Sequence, residues 1–146
     1  MSLLRLASRL PRAAARHNLR CLSGSHSDFE TVRKKVPATA EGVQAMIKEQ
    51  VESTPVMLYM KGTPQQPQCG FSQQVCRVLH ATGVEFDSVN VLEDDSIREG
   101  VKAYSEWPTI PQLYVGGEFV GGCDIVTEAF QSGELDETFK AAGVKK

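Results

Sequence analysis

No stretch of this sequence approaches the ~20 consecutive apolar residues that a bilayer-spanning helix requires, and no acidic residue occurs before Asp28. The first absence excludes a helical membrane span. The second marks the N-terminal segment as different in kind from the rest. The four cysteines, Cys21, Cys69, Cys76 and Cys123, never form a Cys-x-x-Cys pair. That excludes the usual two-thiol motif of a disulfide exchanger, in which a second thiol resolves the mixed disulfide. The three histidines, His17, His26 and His80, are too scattered to form a metal constellation. Internal repeats are absent too, which removes solenoid and propeller architectures.

What is present divides into a short basic segment and an acidic domain. Arg5, Arg9, Arg12, Arg16 and Arg20 are the only charged residues before Asp28, interleaved with Leu3, Leu4, Leu6 and Leu10. An acid-free, arginine-rich, serine-containing start has the character of a mitochondrial presequence; a chloroplast transit peptide shares most of these traits. Residues 1–22 are therefore expected to be a targeting presequence directing the protein to the mitochondrial matrix, with the chloroplast stroma as the alternative. Residues 23–38 are polar and aperiodic and read as a flexible linker. Setting the five arginines aside leaves 11 basic against 18 acidic residues, a net of −7. A domain so acidic lacks the basic footprint of a nucleic-acid binder. Cys21 would leave with the presequence. Three remaining cysteines in a reducing compartment do not make a disulfide framework.

Residues 39–146 form one domain of ordinary size. Val43, Met46, Ile47 and Val51 fall at helical spacing. Pro55 to Met60 is a short, continuously apolar run, the pattern of a strand buried on both faces. A helix is expected from Gly70 to Ala81, capped at Gly83, then a strand over 85–91. Asp94, Asp95 and Ser96 open a third helix with Ile97, Val101 and Tyr104 on its apolar face. Gly116-Gly117 between two short β-patterns signals a hairpin. A helix bearing Ile125, Ala129 and Phe130 ends at Gly133, and a last one covers 135–142. Strands separated by helices imply parallel crossovers, and the final hairpin adds antiparallel strands. The fold class expected is α/β: a thioredoxin-like central four-stranded mixed sheet flanked by helices.

The chemistry concentrates at three places. Cys69 follows a strand and a loop and directly precedes a helix, so its sulfur faces unpaired N–H groups and the positive end of the helix dipole. That setting depresses a thiol pKa, and the thiolate is both nucleophile and metal ligand. Lys61, at the end of the preceding strand, adds positive charge. Position 72, where a resolving cysteine would stand, holds Ser72. Cys76 cannot replace it, because two helical turns are roughly 10 Å of rise, too far for a disulfide; Cys76 is expected in the core. Cys123 is a better-placed second thiol, equally readable as a small residue in a tight Gly-Gly turn. Trp107-Pro-Thr-Ile-Pro111 places a proline just before a strand, where a cis X–Pro bond would leave adjacent backbone free to pair with a peptide. In Gly121-Gly-Cys-Asp124, Asp124 is expected to cap a helix and the glycines to admit a close-lying ligand.

Together, Lys61-Gly-Thr-Pro, the loop Gln65-Gln-Pro-Gln68, Cys69-Gly-Phe-Ser72, Trp107-Pro-Thr-Ile-Pro111 and Gly121-Gly-Cys-Asp124 closely resemble the monothiol glutaredoxins of the mitochondrial glutaredoxin-5 group. The resemblance covers about residues 39–144. It implies glutathione binding, with the ligand's cysteine against Cys69 and its glycine carboxylate at Lys61, Arg98 and Lys102. It further implies that the backbone of Ile110 pairs with the ligand and that the γ-glutamyl end sits at Cys123 and Asp124. The class is similar in carrying a [2Fe–2S] cluster between two subunits, with Cys69 as the metal ligand. Such a cluster generally needs four thiolates, which two copies of Cys69 and two glutathiones would supply. The partners implied are a second copy of the chain, BolA-family proteins and iron–sulfur assembly or acceptor proteins. The alternative is a glutathione-dependent thiol–disulfide oxidoreductase that removes glutathione from proteins, using Cys69 with help from Cys123.

Overall fold

The computed structural model describes residues 36–146; the expected presequence, most of the linker and Cys21 lie outside the described residues. Helix α1 (Ala40–Ser53) starts at Thr39, whose hydroxyl accepts from the Gly42 N–H, and buries Val43, Met46, Ile47 and Val51 as their spacing predicts. Strand β1 (Val56–Met60) is buried along its whole length. Its alternate side chains enter different cores, which is why the sequence reads as an unbroken apolar run. Val56, Leu58 and Met60 meet Val75, Leu79, Val126, Leu135 and Phe139 on one face, whereas Met57 and Tyr59 meet Ile47, Val51, Val101 and Tyr114 on the other.

Helix α2 (Gly70–Thr82) ends at Gly83 in a left-handed conformation, the expected cap. Strand β2 (Asp87–Asn90) is shorter than the expected 85–91 and only half-covered, because it forms one edge of the sheet. Helix α3 (Asp95–Ser105) is capped by the Asp94 carboxylate, which accepts from the Ser96 N–H at 2.7 Å. It presses closely on α1. A Cβ on Gly100 would come within 2.6 Å of Val43 Cγ1, and Gln44 Nε2 donates to the Gly100 carbonyl at 2.7 Å.

Strands β3 (Gln112–Val115) and β4 (Glu118–Gly121) form the hairpin, with Gly116 and Gly117 at φ of 59° and 87°. Helices α4 (Cys123–Ser132) and α5 (Glu134–Ala141) complete the chain. The sheet order is β2-β1-β3-β4. Of the crossovers expected to be parallel, β1 to β2 is parallel, but β3 enters antiparallel to β1. Helix α3 followed by the Trp107–Pro111 loop returns the chain to the sheet from the opposite end. The apolar face of α4 also differs from expectation. Val126 is its buried residue, while Ile125 and Phe130 stand more than a third exposed. A contact face shifted by one position turns those two side chains outward.

Candidate active site

The end of β1 is tied directly to the start of α2. The loop between them folds back on itself: Gln68 N–H donates to the Lys61 carbonyl at 2.9 Å, and Thr63 and Gln66 exchange backbone hydrogen bonds. Gly62, at φ of 90°, turns the chain there, and its N–H donates to Asn90 Oδ1 at 2.9 Å. Ser72 is fully buried, and its Oγ accepts from the Lys61 N–H at 3.1 Å. Position 72 therefore has a structural task of its own: it fastens the strand that carries Lys61 to the helix that carries Cys69.

Cys69 is the residue that caps α2, in extended conformation just outside the first turn. It makes no side-chain capping hydrogen bond there, but the first N–H groups of the helix still act on its thiol. The Ser72 N–H holds the thiol below its ordinary value; the Phe71 N–H, the charge of Lys61 and the Ser72 hydroxyl act in the same direction, while partial burial opposes them. Cys69 therefore gives up its proton more readily than an ordinary thiol while remaining half-exposed. Cys76 is buried against Met60, its thiol raised by burial, and takes no part.

An open cavity of about 470 Å³ lies over this thiol. Lys61, Cys69, Arg98 and Lys102 line it, and so do Ile110, Cys123 and Asp124. Every site residue expected from the sequence is brought to one hollow. Phe71, Pro108, Thr109 and Pro111 complete the lining. Phe71, 62% exposed, projects beside Cys69 and was not singled out by its sequence position. The Ile110–Pro111 peptide bond is cis, as the Trp107–Pro111 segment suggested.

That segment is held from beneath by a residue that no motif reading picked out. Gln112 is fully buried on β3; its Nε2 donates to the carbonyls of Trp107 and Thr109 at 3.0 and 3.1 Å, and its Oε1 accepts from Tyr114 OH at 3.1 Å. All three bonds fix the wall of the cavity that presents the Ile110 backbone.

Two expectations at the far wall are corrected. Asp124 does not cap α4: Gly122 holds the cap position with no side-chain bond, and Asp124 sits exposed in the first turn. Nor is the close approach at the glycines reserved for a ligand. A Cβ on Gly122 would lie 3.1 Å from Trp107 Nε1, and one on Gly121 would meet the Ile125 side chain, so both glycines make room for the protein's own residues. Cys123 opens α4 half-buried. Burial pushes its thiol up, and the negative charge of Asp124 and of a Cys69 thiolate pushes it further, against a lowering contribution from the Thr127 hydroxyl.

The family model for glutaredoxin matches residues 56–120. The mitochondrial monothiol glutaredoxin-5 of Saccharomyces cerevisiae is 50% identical over 103 residues, covering 68% of this chain and 69% of that protein. This chain belongs to the glutaredoxin family. Within it, the Cys69-Gly-Phe-Ser72 motif and the relatives together place it in the monothiol class. The mitochondrial glutaredoxin-related protein 5 of Danio rerio is 40% identical over 139 residues, covering 89% of this chain and 90% of its own length. Some relatives are much longer, and the chain spans as little as 20% of their length. The solution structure of reduced apo GrxS14 from poplar is 51% identical, with a TM-score of 0.62 over 68% of this chain and 92% of that one. The thioredoxin-like glutaredoxin fold expected from the sequence is the fold observed.

Proposed function

We propose that this glutaredoxin is a glutathione-dependent carrier of [2Fe–2S] clusters in mitochondrial iron–sulfur protein biogenesis. The carrying observation is the isolation of the Cys69 thiolate in its cavity. Its one neighbouring thiol, Cys123, has a raised pKa, and position 72 is a buried serine. Among the described residues no group of three or more histidine, cysteine or acidic side chains could hold a metal ion. One chain therefore offers one ready thiolate to a cargo that generally takes four. Two chains and two glutathiones complete the set, so the loaded form is a homodimer. In this reading Cys69 is the cluster ligand. Lys61, Arg98 and Lys102 form the cationic side of the cavity for the glycine carboxylate, Ile110 offers its backbone to the ligand's cysteine, and Cys123 and Asp124 adjoin the γ-glutamyl end. Ligands borrowed from a diffusible thiol make the cluster easy to hand on. BolA-family proteins and iron–sulfur assembly and acceptor proteins are the partners this role expects. The mitochondrial names of the relatives and the arginine-rich start support a mitochondrial site of action.

Anaerobic reconstitution with iron, sulfide and glutathione tests the proposal. A coloured dimer is expected, lost in Cys69→Ala; a colourless monomer with and without glutathione would refute it. One observation favours a second reading, glutathione-dependent disulfide reduction: Cys123 lines the same cavity and feels the charge of Cys69. That reading requires robust turnover of glutathione mixed disulfides that drops in Cys123→Ser.

A further inference from the structure

Arg98 and Lys102 reach the cavity from one face of α3, a turn apart, and both are already ion-paired within their own helix. Glu99 Oε1 lies 3.1 Å from Lys102 Nζ and 3.6 Å from Arg98 Nε, and Asp95 Oδ1 lies 3.0 Å from Arg98 Nη2. Two cations are thus balanced by two carboxylates on the same stretch of helix. Among the described residues Lys61 makes no such ion pair, so it is the cavity's uncompensated cation.

We propose that Glu99 is an internal competitor for the anionic end of the ligand, holding the two α3 cations that a glutathione carboxylate would otherwise find open. The proposal deepens the glutathione reading above and rests on it. Glu99 is a better candidate than Asp95 because it bridges both cations, whereas Asp95 touches Arg98 alone and is 82% exposed. The contacts are unequal. Lys102 donates a hydrogen bond to Glu99, while Arg98 Nε is buried with no hydrogen-bond partner and is held by charge alone. Lys102, followed by Arg98, keeps the Glu99 carboxyl below its ordinary range, so the competitor stays ionised at neutral pH. The helix that carries all four charges is seated on α1 through Gly100 and Gln44; Glu99 itself lines the hollow between α1 and α3, so it acts on the cavity through the two cations it holds.

A carboxylate entering the cavity has to share Lys102 with Glu99 or displace it, and it meets Glu99's repulsion on approach. Relieving one like charge several ångströms away in high dielectric changes affinity roughly threefold at low salt, and the change shrinks as salt screens it. The consequence is a ligand held loosely by design of the charge pattern. That suits a cofactor that must leave together with its cargo.

The test is a titration of the full, reduced protein with reduced glutathione at low salt, followed by the fluorescence of Trp107, the single tryptophan. The same titration is run with glutathione amidated at its glycine carboxylate. Glu99→Gln should bind glutathione roughly threefold more tightly than the unsubstituted protein, and Glu99→Asp should fall between the two. The amide should bind Glu99→Gln and the unsubstituted protein alike. Tightening cannot be a symptom of misfolding, so the expected gain separates competition from a merely structural role. If the unsubstituted protein binds glutathione and Glu99→Gln binds it no better, the competitor idea fails while the glutathione reading stands. Equal tightening toward the amide also overturns it. If the unsubstituted protein shows no glutathione binding, both fall together.

Discussion

Two cysteines open two helices onto the same hollow, yet their thiols are driven in opposite directions. Cys69 stands one residue outside α2, in extended backbone, where its sulfur can take the Ser72 and Phe71 N–H groups. Cys123 is already inside α4, behind Gly122, half-buried and next to Asp124. A helix N-terminus does not by itself activate a thiol; the side chain must occupy the cap position, and nearby charge must favour the anion. Lys61 beside Cys69 and Asp124 beside Cys123 add opposite signs to that difference.

The contrast can be broken most directly by removing either sulfur. Cys69→Ser should cut neutral-pH alkylation by iodoacetamide by about tenfold or more, whereas Cys123→Ser should leave the fast phase within about twofold. The pH dependence follows from the directions of the shifts. The Cys69 rate should persist as pH falls below the range of an ordinary thiol, because its folded-state pKa is lowered. Cys123 should gain reactivity only above that range. A fast phase lost in Cys123→Ser instead would reverse the assignment. Next in size, Gln112→Leu strips the hydrogen-bond partner from two carbonyls and a tyrosine hydroxyl beneath the loop between the two cysteines. A loss of about 2–4 kcal/mol in urea unfolding is expected, together with weaker glutathione binding at temperatures where the variant remains folded. The order of the two thiols should survive, since neither owes its shift to Gln112; merged titrations would contradict this. The smallest effects sharpen the comparison at its charges. Lys61→Gln should slow neutral-pH alkylation of Cys69 by about two- to fivefold, and Asp124→Asn should speed that of Cys123 by about twofold or less, because burial, which comes first there, remains.

Much of this site is legible in the residues alone, because local rules govern the parts that matter most. Cys69 at a loop-to-helix junction, Lys61 at a strand end, Gly83 and the Gly116-Gly117 hairpin each follow from nearest-neighbour chemistry, and the structure honours them. Burial of a polar residue obeys no such rule. Gln112 reads as an ordinary polar position and Ser72 only as the replacement of a second thiol, since their partners, the carbonyls of Trp107 and Thr109 and the N–H of Lys61, come together only through the fold. A polar residue directly after Pro111 in an otherwise apolar Leu-Tyr-Val strand is the one hint the sequence offered for Gln112. The α4 surface misled for a different reason. Ile125, Ala129 and Phe130 satisfy helical spacing, but the packed face is fixed by where α2 and α5 lie, and Val126 wins it. The direction of β3 likewise depends on which end of the sheet the chain re-enters, which spacing does not encode.

The bond between Ser72 Oγ and the Lys61 N–H bears on how this protein's chemistry could diverge. A cysteine at position 72 would complete the two-thiol motif with one substitution. It would also put a larger atom and a much weaker acceptor into a fully enclosed position, loosening the strand end that aims Lys61 at Cys69. A change from one-thiol to two-thiol chemistry at this position is therefore also a change to the interior, felt at the joint between β1 and α2.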